Sequence, residues 1–166
     1  DIINDISALS FDKGMAAVAA DSGVSVILMH IKGTPADMQL NPTYQDVVEE
    51  IYWYLYSAAR RAVSSGIGPS RIIVDPGIGF GKTAQHNLQI IKGLDQLGQL
   101  GYPVLVGVSR KSFIEKVTGL NVEQRLLPSL AAAAYSYING ARLFRVHDVE
   151  ETRHMLDMVQ AIRAVS

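Results

Sequence analysis

Cysteine is absent from this chain of 166 residues. Its absence excludes disulfide bonds and thiolate metal sites, and it fits a protein of a reducing compartment. No apolar stretch approaches the roughly 18 residues that a membrane span needs, and no secretory signal pattern opens the chain. We therefore predict a cytoplasmic protein.

An excess of charge of either sign is also lacking. The chain has 15 Lys and Arg against 16 Asp and Glu, which gives a net charge of −1. Basic residues come in pairs, such as Arg60-Arg61 and Arg110-Lys111, and not in long runs. Because nucleic acids and membrane surfaces attract basic patches, neither is predicted as a partner. The hydrophobic fraction of 48% is that of an ordinary globular domain.

Short apolar runs alternate with helical patterns along the chain. The predicted strands cover residues 2–3, 24–29, 72–74, 104–108 and 141–144. Apolar residues at three-and-four spacing predict helices over 47–63, 122–138 and 155–162. This alternation indicates an α/β fold with a parallel sheet, either doubly wound or closed as a barrel. Five βα units are too few for an eight-stranded barrel of about 250 residues, so we predict one partial domain over residues 1–166.

Two helix starts are predicted from local signals. Asn41-Pro42 fits an N-cap followed by the first helical position. Asp148 with Glu151 three residues later resembles a capping box that uses Asp as the cap. Both signals predict a carboxylate or amide that binds the free N–H groups of a first helical turn.

The most informative segment is Asp75-Pro76-Gly77-Ile78-Gly79-Phe80-Gly81-Lys82, directly behind a predicted strand. The carboxyl end of such a strand is where parallel α/β sheets bind ligands. A P-loop would need glycine at position 76, and a dinucleotide fingerprint would need glycine at position 82. Neither motif matches. A flat ligand site and a plain tight turn remain as the two interpretations of this loop.

Polar residues also follow the other predicted strands. They are Asn4-Asp5, Met29-His30, Ser109-Arg110-Lys111-Ser112 and Arg145-Val146-His147-Asp148. Arg145 and His147 lie two apart, so on an extended chain both point the same way and could bind a phosphate or diphosphate near the next helix. Alternatively, Arg145 pairs with Asp148 while His147 only caps that helix. The segment around Arg110 could bind an anion or be a solvated loop.

A flat heterocycle fits the remaining candidates. The Asp75 carboxylate could accept two parallel N–H bonds from an aminopyrimidine edge, and Asn4 could read the same ring. Met29 and Phe80 could sandwich it. Each also has a structural interpretation: a helix cap, a turn amide, or core side chains. His30, His86 and His154 lack ligand spacing and are predicted to be structural.

Five ordered motifs closely resemble dihydropteroate synthases. They are Asn4-Asp5-Ile6-Ser7-Ala8, Leu28-Met29-His30 with Gly33-x-Pro35-x-x-Met38-Gln39, the loop 75–82, Ser109-Arg110-Lys111-Ser112, and Arg145-Val146-His147-Asp148-Val149. The resemblance implies a TIM (β/α)8 barrel, of which this chain supplies about the last five βα units. It also implies condensation of 6-hydroxymethyl-7,8-dihydropterin diphosphate with para-aminobenzoate, which gives dihydropteroate and diphosphate in folate synthesis, the step that sulfonamides block.

The resemblance also implies roles for individual residues. The pterin ring would contact Asn4, Met29, Asp75, Phe80, Gly107 and Lys111. Para-aminobenzoate would lie against Ser109 and Arg110, and the diphosphate against Arg145 and His147. Lys111, Asp75 and Arg145 would carry catalysis by electrostatic positioning, because the family uses no nucleophilic side chain.

The family's first three βα units have no counterpart in the motifs of this chain. The resemblance implies that they hold a Mg²⁺-coordinating Asn, two mobile loops and an Asp that stabilises a pterin cation. Mg²⁺ is thus expected as a cofactor whose ligand lies outside the chain, and no metal site is predicted within it. We expect a homodimer, and a chain that is inactive alone. The alternatives are a non-catalytic pterin-binding fragment and a methyltetrahydrofolate-corrinoid methyltransferase, which would have no diphosphate to hold.

Overall fold

A computed structural model describes residues 1–165 of the chain. Its five strands are β1 (Ile2–Asp5), β2 (Ser25–Met29), β3 (Ile72–Asp75), β4 (Val104–Val106) and β5 (Ala141–Phe144). Its seven α-helices are α1 (Met15–Ser22), α2 (Val47–Ser64), α3 (Ala84–Lys92), α4 (Leu94–Gly98), α5 (Ser112–Thr118), α6 (Leu126–Ile138) and α7 (Val149–Ala164). Two 3₁₀ turns lie at Pro69–Arg71 and Val122–Gln124. All five predicted strands are present, and β4 is shorter than predicted.

The strands form one parallel sheet in the order β1-β2-β3-β4-β5. Each strand therefore pairs with the next one along the chain, as successive βα units of a TIM barrel do. The register places Ile27 beside Ile73 and Met29 beside Asp75. The carboxyl ends of β2 and β3 are thus level, and the loops that follow them start from the same edge.

The two faces of the sheet carry different clusters of apolar side chains. The helix-covered face holds the main core, which includes Val26, Leu28, Val74 and Val106. Residues of the opposite parity form a smaller cluster of Ile27, Ile73 and Leu105, against which Leu143 packs. We call this second side the inner face, because it is the side away from the helices. The alternation follows directly from the period of two along a strand.

The structure corrects the two predicted helix starts. Helix α2 begins at Val47 and not near Asn41, because the Asp46 side chain accepts hydrogen bonds from the amides of Val48 at 2.9 Å and Glu49 at 3.0 Å. Helix α7 does begin after Asp148, but the side chain of this residue makes no capping bond. Its carboxylate instead pairs with the guanidinium of Arg110. Within residues 1–165, no helix is long and apolar enough to cross a membrane.

Candidate functional site

The inner face carries a candidate site where the strands end. One residue from the end of each strand or the loop directly after it contributes: Asn4, Met29, Asp75, Gly107 and Arg145. Each lies two positions beyond another inner-face residue of its strand, so the period of two puts all five on the same side of the sheet. The sequence predicted each of them as a site residue.

Asp75 is the centre of this group. Its side chain is fully buried, and its Oδ2 accepts a hydrogen bond from Nη2 of Arg145 at 2.9 Å. Nη1 of the same guanidinium donates to Oδ1 of Asn4 at 3.1 Å. Arg145 therefore lies across the predicted pterin residues, and the alternative in which it pairs with Asp148 is wrong. Arg145 and His147 contact different partners, because Oγ of Ser109 lies 3.0 Å from Nδ1 of His147.

Gly107 permits this path of the Arg145 side chain. A Cβ added at position 107 would lie 3.1 Å from Nη2 of Arg145. Because so few real Cβ contacts are that short, an alanine here would force the guanidinium to shift by a few tenths of an ångström. The missing side chain at position 107 therefore leaves room for the planar guanidinium.

The loop 75–82 is held in place by its own amides and by side chains from three other segments. The amide of Gly77 donates to Oδ1 of Asp75 at 2.7 Å, and the amide of Gly79 donates to Oδ1 of Asn87 at 2.7 Å. Four successive carbonyls, those of residues 78–81, each accept a side-chain donor; in order, the donors are Lys111, Gln39, Lys82 and Tyr44. These hydrogen bonds fix the conformation of the loop, which has more contacts than a plain tight turn requires.

Gly77 is needed in that loop for a steric reason. Its φ is 68°, and a Cβ there would lie 2.0 Å from the carbonyl oxygen of His30. At this position the loops that follow β2 and β3 approach each other closely through their backbones, in addition to the side-chain contacts between them. This close approach puts Met29 and the loop 75–82 side by side.

Lys111 crosses from the neighbouring turn to the same loop. Its ammonium donates to the carbonyl of Ile78 and lies 4.6 Å from the centre of the Phe80 ring. Burial lowers the pKa of Lys111 to about 8; the carboxylate of Asp75 opposes this shift and Arg145 adds to it. Lys111 thus links the turn after β4 to the loop 75–82, near the buried carboxylate of Asp75.

Sequence reasoning missed the role of Lys82, which is only 4% exposed. Its ammonium donates to the carbonyl of Phe80 at 2.8 Å and lies 2.9 Å from Nδ1 of His30. Burial lowers the pKa of Lys82 to about 7, with Asp75 opposing. Burial and the charge of Lys82 together lower the pKa of His30 to about 2, so His30 is neutral and accepts the bond. A lysine placed directly after a glycine-rich loop is the signal that could have indicated this support.

Ser109 and His147 form a second contact, next to the first group. Oγ of the buried Ser109 lies 3.0 Å from Nδ1 of His147. Arg110, one residue on, pairs with Asp148, through Nε at 3.0 Å. This pairing raises the pKa of Arg110 and lowers that of Asp148. The turn 109–111 is therefore tied to the start of α7 and is not a solvated loop.

This arrangement suits a flat ligand that offers two parallel N–H donors. The guanidinium of Arg145 is itself a planar fork of such donors, and it contacts both Asp75 and Asn4. An aminopyrimidine edge also presents parallel donors, so it could take the place of the guanidinium on Asp75. The freed guanidinium would then be available to an anionic group.

The described residues offer no metal site of their own. Within residues 1–165, no group of three or more His, Cys, Asp or Glu side chains could hold a metal ion. A cavity of about 930 Å³ does lie between the β2–α2 loop and helix α2, lined by Lys32, Glu50 and Trp53 among others. None of the predicted site residues lines it, so the chemistry favours the strand ends over this cavity.

The chain is similar to known proteins in both sequence and structure. The chain matches the family described as pterin binding enzyme over residues 1–147. It is 43% identical over 166 residues to the dihydropteroate synthase of Neisseria meningitidis serogroup B, a match that covers 98% of this chain and 58% of the relative. It is similar to the Yersinia pestis dihydropteroate synthase solved with a sulfonamide drug, with a TM-score of 0.95, 38% identity, and coverage of 99% of this chain and 59% of that one. For the Xanthomonas albilineans dihydropteroate synthase in complex with 7,8-dihydropteroate, the TM-score is 0.91 at 42% identity, with coverage of 99% and 60%.

The chain belongs to the pterin-binding enzyme family. Within that family, the relatives just described are dihydropteroate synthases, so the resemblance carried by the five motifs is confirmed. The chain spans about 58% of the length of the first of them. The fold prediction of a partial TIM barrel is confirmed too, by the five sequential parallel strands and the structural similarity.

Proposed function

We propose that this chain forms the pterin-binding part of a dihydropteroate synthase. The reaction would join 6-hydroxymethyl-7,8-dihydropterin diphosphate to para-aminobenzoate, giving dihydropteroate and diphosphate. One observation carries the proposal: the fully buried Asp75 carboxylate is met on the inner face by a planar donor group. A buried carboxylate is costly unless it is paired, so a ligand that displaces Arg145 from Asp75 must itself supply matching donors.

The pterin ring would bind by edge and by face. Asp75 would accept two N–H bonds from its aminopyrimidine edge, while Asn4 and Lys111 would bind other polar atoms of the ring. Met29 and Phe80 would contact its faces, and Gly107 would leave room beneath it. A ring held this way has its reactive methylene carbon directed outward, because the edge opposite the amino group is the one left free.

The leaving diphosphate and the entering para-aminobenzoate would lie toward the turn 109–111 and the start of α7. Arg145, displaced from Asp75, and His147 would hold the diphosphate, while Ser109 and Arg110 would lie on the para-aminobenzoate side. Departure of the diphosphate would leave a pterin cation that the arylamine attacks. Catalysis would then consist of positioning and charge stabilisation, with Lys111, Asp75 and Arg145 as the main groups.

Several parts of this proposal lie beyond the chain itself. Because the relatives are longer, we propose that residues outside this match complete the para-aminobenzoate pocket, and that the chain alone binds pterin without turnover. Mg²⁺, a homodimer and a cytoplasmic location stay predictions from the resemblance and the composition.

Calorimetric titration with 6-hydroxymethyl-7,8-dihydropterin tests the proposal. Asp75→Asn should weaken binding by about 10- to 100-fold, since a hydrogen bond to a charged group contributes about 1.5–3 kcal/mol. The matched control is Asp157→Asn, which removes the carboxylate of an exposed pair with Arg153 on α7 and should leave the affinity unchanged. The proposal is wrong if the unaltered chain does not bind the pterin, or if Asp75→Asn binds it equally well.

A further inference from the structure

The turn between β4 and α5 has an unusual backbone at Arg110. Its φ is 55°, in the left-handed region that non-glycine residues seldom adopt. Such a conformation persists only when the surroundings hold it. The surrounding contacts of this residue therefore indicate what the turn is for.

The backbone amide and carbonyl of Arg110 are both hydrogen-bonded, one to a side chain of helix α6 and the other to the residue that directly precedes this helix. The amide donates to Oγ of Ser129 at 2.9 Å, and the carbonyl accepts from Nη1 of Arg125 at 3.0 Å. Ser129 and Arg125 are buried, at 4% and 7% exposure. Neither side chain reaches the inner face, and neither was singled out from the sequence as a site residue.

Ser129 and Arg125 make further hydrogen bonds that fix the positions of their own side chains. The Ser129 hydroxyl donates to the carbonyl of Arg125 at 2.6 Å. The Arg125 guanidinium donates further to the carbonyl of Leu120 at 3.1 Å and to the carboxylate of Glu115 at 2.5 Å. The hydroxyl oxygen that receives the Arg110 amide therefore has one defined position.

The left-handed turn separates two neighbouring cations. Arg110 points to Asp148 at the start of α7, whereas Lys111 points to the carbonyl of Ile78 and the ring of Phe80. An extended or right-handed backbone at position 110 would change the direction in which the chain enters α5. Lys111 would then lose its place beside the pterin residues.

We propose that Ser129 is a positioning residue: its hydroxyl fixes the left-handed turn at Arg110 and so directs Lys111 into the site on the inner face. Arg125 supports it from the carbonyl side of the same residue. The effect on the pterin rests on the proposed function, but the effect on Lys111 does not. The two can therefore be tested apart.

Ser136 offers a matched control on the same helix. It is fully buried, and its Oγ donates to the carbonyl four residues earlier, that of Ala132, at 2.7 Å. Ser129 makes the same bond to Arg125, but Ser129 alone of the two also receives an amide from the site turn. Ser129→Ala and Ser136→Ala thus remove equivalent helix contacts and differ in the contact to Arg110.

The first measurement is the pKa of Lys111, obtained by NMR titration of the 166-residue chain labelled with ¹³C at lysine Cε. The Lys111 signal is assigned as the one that Lys111→Arg removes. In the unaltered chain burial holds this pKa near 8. Ser129→Ala should raise it by about one unit or more, because a mobile Lys111 is better hydrated. Ser136→Ala should leave it in place, and adding Arg110→Gly to Ser129→Ala should restore it, since glycine adopts positive φ without a brace.

The second measurement is pterin affinity, which Ser129→Ala should reduce about five- to tenfold and Ser136→Ala should not. The inference is overturned if Ser129→Ala leaves the Lys111 pKa near 8, or if both alanine variants shift it equally. If Ser129→Ala does not fold, hydrogen exchange of the unaltered chain decides, because an unprotected Arg110 amide contradicts the brace and a protected one supports it. Failure of the unaltered chain to bind pterin would sink the proposed function and leave the Lys111 result standing.

Discussion

Replacing Arg145 should change the affinities for two related ligands in opposite directions. Arg145→Met keeps an unbranched side chain of similar reach but removes the guanidinium. Because that guanidinium lies on Asp75, a pterin ring must displace it before binding. The variant should therefore bind the uncharged 6-hydroxymethyl-7,8-dihydropterin more tightly than the unaltered chain, and its diphosphate ester less tightly.

The size of the first effect follows from the contact that the ring displaces. A hydrogen bond between charged groups contributes about 1.5–3 kcal/mol, but the Arg145 side chain is 41% exposed, while Asp75 is 0% exposed. Solvent screening reduces the value of a half-exposed pair to about 1 kcal/mol. Removing the competitor should then tighten pterin binding by about fivefold.

The second effect has the opposite sign because the diphosphate loses a cation. A charge-assisted bond between guanidinium and phosphate is also worth about 1.5–3 kcal/mol, and its loss outweighs the gain of about 1 kcal/mol on the ring. The ester should bind about 2- to 30-fold more weakly to Arg145→Met than to the unaltered chain. This pair of changes is expected only of a residue that competes with the ring for Asp75 and also binds the phosphates.

Titration calorimetry of both ligands at fixed ionic strength provides the assay. Arg153→Met is the matched control, since it removes one cation from an exposed pair with Asp157 on α7 and so changes the net charge equally. Neither affinity should change in that control. Weaker binding of both ligands to Arg145→Met would refute the reasoning, because Arg145 would then assist the ring instead of competing with it.

Two further predictions concern stability. Gly77→Ala should destabilise the chain by about 3 kcal/mol or more, measured by urea unfolding, because its Cβ would lie 2.0 Å from the His30 carbonyl. The control is Gly101→Ala, which has a similar φ of 79° and nothing within 4 Å and should cost only about 1 kcal/mol. Equal losses of stability in the two variants would contradict the steric argument. Lys82 has a pKa of about 7 when folded and 10.5 otherwise, so the unfolded chain binds more protons between these values and stability rises with pH across that window. Lys82→Met should reduce the rise in unfolding free energy between pH 7 and 9 by about 2 kcal/mol; an unchanged slope would show that burial does not lower the pKa of Lys82.

The strands and the inner-face residues could be predicted from the sequence because both depend on local patterns. A period of two and the apolar run before Asp75 place that carboxylate at a strand end, and parallel strands bring such ends together. The same reasoning located Asn4 and Met29. It needed no knowledge of how side chains pair.

The pairing of those side chains could not be predicted, because it depends on contacts between residues far apart in sequence. Arg145 contacts Asp75 across 70 residues, and the nearby Asp148, which the sequence offers as its partner, binds Arg110 instead. The helix start at Asp46 was missed for a related reason, since Asn41-Pro42 carries an equally good local signal. Only the fold decides between such competing partners.

The distribution of charge around Asp75 argues for an anionic ligand beyond the flat ring. Three cations, Lys82, Lys111 and Arg145, lie near this one buried carboxylate, and burial lowers the pKa of both lysines. A neutral ring on Asp75 would leave this excess of positive charge uncompensated, whereas a ring that carries a diphosphate would supply the missing negative charge. The positions of the two lysines and the pairing of Arg145 with Asp75 thus fit the ligand proposed above: a flat donor edge for the carboxylate, joined to an anion for the cations.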